Sequence, residues 1–275
     1  MRHVPAKHAI KPVKSLGQNF LTDGTIARKI VELLEIEELD TIVEIGPGEG
    51  ALTKLLLEYP AEIQAIEFDR RAVEFLNSTY PKVQYPKFSL FSGDVRKFPL
   101  LEFSQEVIDR TKHRPKVIGN IPYNITSDIL FQLFECAEKL NRAVITMQRE
   151  VAERIVAKPR TKDYGILTLA SLFASKPKIA LLIPPESFYP KPKVDSAAVV
   201  FDFTEPMIST EQFYKVMPLV RSGFGQRRKM LSNSIKSMIS QKNDIQQDII
   251  DGYFSKRAEE LTPNDFLKLN SALGR

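Results

Sequence analysis

Up to residue 205, seven short apolar runs alternate with stretches of helical period. No other feature restricts the fold as tightly. The runs are 41–45, 63–68, 88–91, 117–119, 143–147, 179–183 and 197–203. Between them, 51–58, 71–78, 127–138, 150–156 and 166–174 carry apolar residues at helical spacing. A further helix is predicted after Thr22-Asp23, which can cap it, with Ile26, Ile30, Leu33 and Leu34 on one face. Such alternation predicts a parallel sheet covered by helices on both faces. The last two runs are joined by the proline-rich stretch 184–192, with no helical pattern. A parallel crossover needs a dozen or more residues, so this pair is expected to be antiparallel. The fold class is α/β: a Rossmann-like sheet of seven mostly parallel strands.

After Thr204-Glu205-Pro206 the pattern changes. The stretches 212–220, 230–239, 245–253 and 265–273 read as helices, and strand-like alternation stops. The predicted organisation is a mobile basic arm over 1–14, an α/β domain over 15–205 and a small helical domain over 206–275. A chain of 275 residues with 43% hydrophobic content supports one large core and a smaller second unit. No apolar run approaches the roughly 18 residues of a membrane span. The first residues lack the apolar segment of a secretory signal, so a cytoplasmic location is expected. The lone Cys136 forbids an internal disulfide and any cysteine-based metal site. It shares a helical face with Ile129 and Leu133, which suits a buried thiol. His3, His8 and His113 are too few and scattered for a zinc cluster, and no metal is expected.

The glycine loop Val43-Glu44-Ile45-Gly46-Pro47-Gly48-Glu49-Gly50 leaves a predicted strand and enters a predicted helix. Glycines there let backbone approach a ligand closely. The literal spacing Gly46-x-Gly48-x-x-Ala51, with Glu67 about twenty residues on, also fits a dinucleotide fingerprint. The loop alone therefore leaves NAD and S-adenosylmethionine both open, since either offers a ribose diol to Glu67. Three features favour S-adenosylmethionine. Pro47 and Glu49 place a rigid, acidic loop where a pyrophosphate would sit. Gly93-Asp94 ends the third strand with a carboxylate that could read an adenine amine. Asn120-Ile121-Pro122-Tyr123 ends the fourth strand on the same rim, where open α/β sheets bind ligands.

That last segment carries the chemistry. The exocyclic amine of adenine is a poor nucleophile, because its lone pair is delocalised into the ring. The Asn120 carboxamide oxygen and the Ile121 carbonyl can accept its two N–H bonds and localise that pair. Pro122 fixes the turn, and Tyr123 can stack on the base. Against a sulfonium electrophile, orientation and electrostatics supply most of the acceleration, without metal or dedicated base. A base inside a duplex cannot be presented this way, so the substrate must be unpaired or flipped. Phe188 is the candidate for the opposite wall, a core phenylalanine being the competing assignment. Charge is mild, with 39 Lys+Arg against 34 Asp+Glu, but it clusters. Residues 1–30 hold Arg2, Lys7, Lys11, Lys14, Arg28 and Lys29 against Asp23 alone. Arg221, Arg227, Arg228 and Lys229 lie in a stretch without an acid, as a polyanion partner selects.

With these residues in place, the chain resembles the KsgA (RsmA) family of ribosomal RNA adenine dimethyltransferases from about Lys14 to its end. Gly17-Gln18-Asn19-Phe20-Leu21 is similar to the family's N-terminal motif. The glycine loop, Gly93-Asp94-Val95 and Asn120–Tyr123 are similar to its cofactor and catalytic motifs. Phe188-Tyr189-Pro190-Lys191-Pro192-Lys193-Val194-Asp195-Ser196 and Phe224-Gly225-Gln226-Arg227-Arg228-Lys229 complete the set. The resemblance implies a class I methyltransferase that dimethylates two adjacent adenosines near the 3′ end of small-subunit (16S) rRNA. It implies an immature small subunit as partner, and nothing in the sequence suggests an obligate oligomer. The implied cofactor contacts fall on Asn19, Leu21, Gly46, Glu67, Asp94 and Asn120. Leu16 departs from the pattern, the family more often having an aromatic there. The alternatives are an Erm-type enzyme acting on 23S rRNA and a non-catalytic RNA-binding assembly factor on the same fold.

Overall fold

The computed structural model describes residues 10–13, 16–239 and 246–274. Most of the expected basic arm, and Ile245 at the start of one expected helix, lie outside the described residues. The first half runs β1 (Phe20–Leu21), α1 (Gly24–Glu32), β2 (Thr41–Ile45), α2 (Thr53–Leu56), β3 (Glu62–Glu67), α3 (Arg70–Thr79), β4 (Phe88–Ser92), α4 (Leu100–Thr111) and β5 (Lys116–Asn120). It continues with α5 (Thr126–Glu135), β6 (Arg142–Gln148), α6 (Arg149–Ile155), α7 (Ile166–Ala174), β7 (Lys176–Ile183), β8 (Phe188–Tyr189) and β9 (Ser196–Asp202). Among the described residues, five helices follow: α8 (Thr210–Gly225), α9 (Leu231–Ser234), α10 (Lys236–Ile239), α11 (Gln247–Phe254) and α12 (Pro263–Ala272).

All seven expected strands form one sheet in the order β4-β3-β2-β5-β6-β9-β7. The first five of that order are mutually parallel, while β9 runs antiparallel to both β6 and β7. The reversal of order between β2 and β5 opens a crevice at their carboxyl ends, where such sheets bind ligands. Asp23 caps α1 by accepting the amides of Thr25 and Ile26, as its position before the helix predicts.

Strand alternation divides the core between the two faces. Ile42, Ile63, Ile118, Val144 and Ala198 pack with Ile30, Leu34, Leu55 and Leu56 on one side. Val43, Ile45, Val117, Ile145, Val199 and Phe201 pack with Ile129, Leu133, Leu169 and Phe173 on the other. This second cluster runs on without a break into Val216, Leu219, Val220, Phe266 and Leu269 of the C-terminal helices. The chain between β9 and α8 also packs, with the Met207 and Ile208 amides both on the Phe173 carbonyl.

Three differences from expectation have physical causes. First, α4 is present although its apolar face, Leu100, Phe103 and Val107, is diluted by charge. Second, β1 and β8 pair antiparallel, Phe20 with Tyr189 and Leu21 with Phe188. Third, the helix expected over 230–239 breaks into α9 and α10. There the Ser234 carbonyl accepts the Ser222 hydroxyl at 2.6 Å, and the Met238 amide turns to the Ile235 carbonyl. That leaves the α-helical ladder interrupted at Ile235.

The amino-terminal edge of the sheet is closed by a buried ion pair. Lys116 Nζ lies 2.7 Å from Asp40 Oδ2, with both side chains 6% exposed. The same ammonium donates to the Glu35 carbonyl, and Asp40 also accepts the Glu37 amide at 2.7 Å. Removing one partner of such a pair leaves the other charge buried and uncompensated. Lys116→Ala should therefore cost about 3–5 kcal/mol in urea unfolding. A loss under about 1 kcal/mol, the scale of an exposed pair, would show that water reaches Asp40.

Candidate active site and cofactor cavity

A cavity of about 290 Å³ sits over the carboxyl ends of β2, β3, β4 and β5. That is near the small end of the range for ligand sites. Of the sequence-predicted residues, Asn19, Leu21, Gly46, Glu67, Asp94, Asn120, Ile121, Pro122 and Tyr123 all line it. They come from the glycine loop, two strand-end acids, the segment after β5 and the N-terminal stretch around β1.

The glycine loop is a tight turn held close to its surroundings. Gly48 has φ +56, and a Cβ there would stand 3.0 Å from the Phe20 ring. Glu67 ends β3 and secures the loop, its carboxylate accepting the Gly48 amide at 3.0 Å and the Asp69 amide at 2.8 Å. Burial raises its pKa against the opposing pull of these backbone bonds. Each of its oxygens has a second lone pair for a ribose hydroxyl. Asp94 caps the short turn after β4, accepting the Arg96 amide at 3.0 Å. Its carboxylate is also gripped by the Arg96 guanidinium, at 2.7 Å to Oδ2, which holds its pKa low. An adenine amine would share Asp94 with Arg96.

Asn120 closes β5. Its Nδ2 donates to the Asn19 carbonyl at 2.9 Å. The Tyr123 hydroxyl lies 2.7 Å from Ser196 Oγ at the start of β9, which fixes the ring over the strand ends. Burial raises the Tyr123 pKa, keeping the hydroxyl neutral.

Sequence reasoning missed part of the site. Glu44 also lines the cavity and is 1% exposed. Thr53 Oγ1 donates to its Oε2 at 2.7 Å, while Oε1 is buried without a hydrogen-bond partner. Burial pushes this carboxyl up to about 8. The signal was its place inside a strand, where an acid among Val43 and Ile45 must be neutral or served by a ligand. Gln18 and Asp69 line the cavity too, bonded Nε2 to Oδ2 at 2.8 Å.

Two candidate residues are engaged elsewhere in the fold. Phe188 does not line the cavity. In the β1–β8 ribbon it pairs with Leu21, and at 4% exposed it packs into the core behind that residue. Side chains alternate across a strand, so the residue that the ribbon turns outward is Tyr189. Arg227 is committed internally, with Nε on Glu259 at 2.7 Å and Nη2 on the Thr161 carbonyl at 2.9 Å. It clasps the loop before α7 to the C-terminal helices. Arg228 and Lys229 are exposed in the turn after α8, and the Arg221 guanidinium lies 5.0 Å from the centre of the Phe131 ring.

The charges lining the cavity select among ligands. Glu49, Glu67, Asp69 and Asp94 face it with Arg96, which is already paired to Asp94, while buried Glu44 keeps its proton. Glu49 Oε1 also accepts the Ile10 amide at 2.8 Å. Such a lining opposes a pyrophosphate and suits a ligand bearing ammonium and sulfonium charge. The residues present therefore fit S-adenosylmethionine and not a dinucleotide.

Glu44 has a measurable signature. Folded, it keeps its proton up to about pH 8, against an ordinary value of 4.5. The folded state then binds one more proton than the unfolded state between those values. Stability falls with rising pH across that window, by at most about 1.4 kcal/mol per unit. The cost is absent below the window and complete above it. Glu44→Gln should remove this dependence in urea unfolding at pH 5, 7 and 9. Parallel profiles for the two proteins would refute the burial argument.

Comparison with known proteins agrees with this geometry. Residues 10–271 match the ribosomal RNA adenine dimethylase family. The chain is 37% identical over 269 residues to a protein of Francisella tularensis named ribosomal RNA small subunit methyltransferase A, covering 97% of this chain and 99% of that one. A protein of the same name from Syntrophus aciditrophicus is 40% identical over 238 residues, covering 86% and 83%. Among solved structures, a dimethyladenosine transferase from Plasmodium falciparum superposes with a TM-score of 0.75 at 27% identity, covering 90% of this chain and 95% of that one. The 23S rRNA methyltransferase ErmE, at TM-score 0.65 and 24% identity over 94% of this chain and 100% of that one, shares the fold. With a match over nearly its whole length and a cavity built for S-adenosylmethionine, this chain belongs to the ribosomal RNA adenine dimethylase family.

Proposed function

We propose that this chain dimethylates N6 of two adjacent adenosines in the 3′-terminal hairpin loop of 16S rRNA, acting on an immature small subunit as a cytoplasmic monomer. The observation that carries the proposal is the shared cavity. It sets Asn120–Tyr123 beside the glycine loop and Glu67, so donor and acceptor of a methyl group would meet there. The small-subunit names of the 36–40% identical relatives favour this substrate over a large-subunit one.

Bound in the cavity, S-adenosylmethionine supplies an electrophilic methyl group. Glu67 would hold its ribose, and Asn19, Leu21, Gly46 and Asp94 would form the remaining walls. The Asn120 carboxamide oxygen and the Ile121 carbonyl accept the N–H bonds of the target amine and aim its lone pair. Pro122, at φ −59, sets the turn that carries them. Tyr123, anchored by Ser196, stacks on the base. The amine proton becomes acidic once nitrogen is alkylated and passes to water, so no side chain need act as base. Residues 206–275 serve as the RNA-facing helical unit, with Arg221, Arg228 and Lys229 towards phosphate and Arg227 shaping the surface. Phe188 buttresses Leu21 from the core.

The test is methyl transfer to undermethylated small subunits and, in parallel, to protein-free large-subunit rRNA, with mass mapping of the product. Dimethyladenosine in the small subunit alone is expected. Label only in large-subunit RNA would move the chain to the Erm class, and label in neither would leave an assembly factor. Asn120→Ala should slow transfer at least about a hundredfold while RNA affinity holds. Near-normal turnover in that variant would remove the proposed mechanism.

A further inference from the structure

We infer that the N-terminal strap, residues 16–21, is a positioning element for methyl transfer: the Asn19 carbonyl holds the Asn120 carboxamide with its oxygen available to the target amine. This rests on the proposed function and deepens it.

A carboxamide has a donor end and an acceptor end, and its terminal torsion is broad and roughly two-fold. For Asn120 the two orientations have opposite consequences. With Oδ1 towards the amine, the lone pair on N6 is localised. With Nδ2 there, donor meets donor and the amine is repelled. The bond to Asn19 decides between them. A backbone carbonyl can only accept, so only the amino end of Asn120 can face it, at 2.9 Å.

The strap is itself tied on both sides of the cavity. On the β3 side, Gln18 Nε2 donates to Asp69 Oδ2 at 2.8 Å, and Gln18 Oε1 accepts the Val13 amide at 2.9 Å. Arg71 grips Asp69 and reaches the Lys11 carbonyl at 2.9 Å. On the other side, Phe20 and Leu21 pair with Tyr189 and Phe188, and the Thr22 amide donates to the Ser187 carbonyl at 2.8 Å. Residues 16–21 also form one wall of the cavity. Filling the cavity therefore firms the strap, and the strap in turn orients the amide. Cofactor binding and alignment of the reacting amine become one coupled event. Alignment is worth large factors in rate, because an effective encounter needs near-attack geometry.

The test uses the full-length protein and Gln18→Ala, which frees the strap from Asp69 and from Val13. Arg71→Ala, whose side chain lies outside the cavity wall, is the second variant and should give the same pattern more weakly. Three quantities are read: the Kd for S-adenosylhomocysteine, the single-turnover rate with cofactor and small subunits both saturating, and the Asn120 side-chain ¹⁵N–¹H₂ resonances. For Gln18→Ala we expect the saturated rate to fall roughly ten- to a hundredfold. The Asn120 amide protons should move from hydrogen-bonded to free-amide shifts, and binding to small subunits should hold. A normal saturated rate with only a weakened Kd would make the strap a cofactor lid and overturn the inference. Unmoved Asn120 resonances would overturn it as well. Wild-type protein that transfers no methyl group to adenine would instead sink the proposed function, so the two failures are distinct.

Discussion

β2 and β5 lie side by side and parallel, in a register that sets Ile45 against Gly119. The rest of the site depends on that pairing. It brings the glycine loop and the Asn120 segment off the sheet at the same level, one residue beyond the paired positions. The approach is close enough that a Cβ on Gly119 would stand 2.8 Å from the Ile45 carbonyl. A side chain there would part the two strands and separate the cofactor loop from the segment proposed to present the amine. The buried Lys116–Asp40 pair secures the opposite end of the same strands. Stability is thus concentrated at the amino edge, and the carboxyl edge is left to glycines, acids and loops.

The acids at that edge do two jobs. Glu67 and Asp69 organise backbone, the first through the amides of Gly48 and Asp69, the second through Gln18 and Arg71. Together with Glu49 they also give the cavity negative potential. A glycine loop that would serve a pyrophosphate in another setting is turned by its neighbours towards a cationic ligand. The strap closes the arrangement from the other side, tied by the Gln18 side chain to Asp69 and by backbone pairing of Phe20 and Leu21 with Tyr189 and Phe188.

The sheet was legible because apolar runs separated by helical periods leave few arrangements open, and all seven strands formed where that pattern placed them. Asn120–Tyr123, Glu67 and Gly46 were legible because strand ends converge on one rim. What stayed hidden was long-range and short in extent. The β1–β8 ribbon has two residues per strand, too few to show a period, and its partners are far apart in the chain. Without that ribbon, nothing in the sequence tells Phe188 in the core from Phe188 in the pocket. Arg227 looked like its neighbours Arg228 and Lys229, since a basic run does not reveal which member faces Glu259. Glu44 was visible but counted only as part of a loop, because its burial and partner emerge from α2 folding over the strand.

The most direct measurement is a crystal structure of the protein grown with S-adenosylhomocysteine. The ribose hydroxyls are expected on Glu67, the adenine beside Asp94, and the sulfur directed towards Asn120 with the Asn19 bond intact. A ligand bound elsewhere, or bound in this cavity with its sulfur turned away from Asn120, would contradict the account of how this edge of the sheet brings methyl donor and amine together.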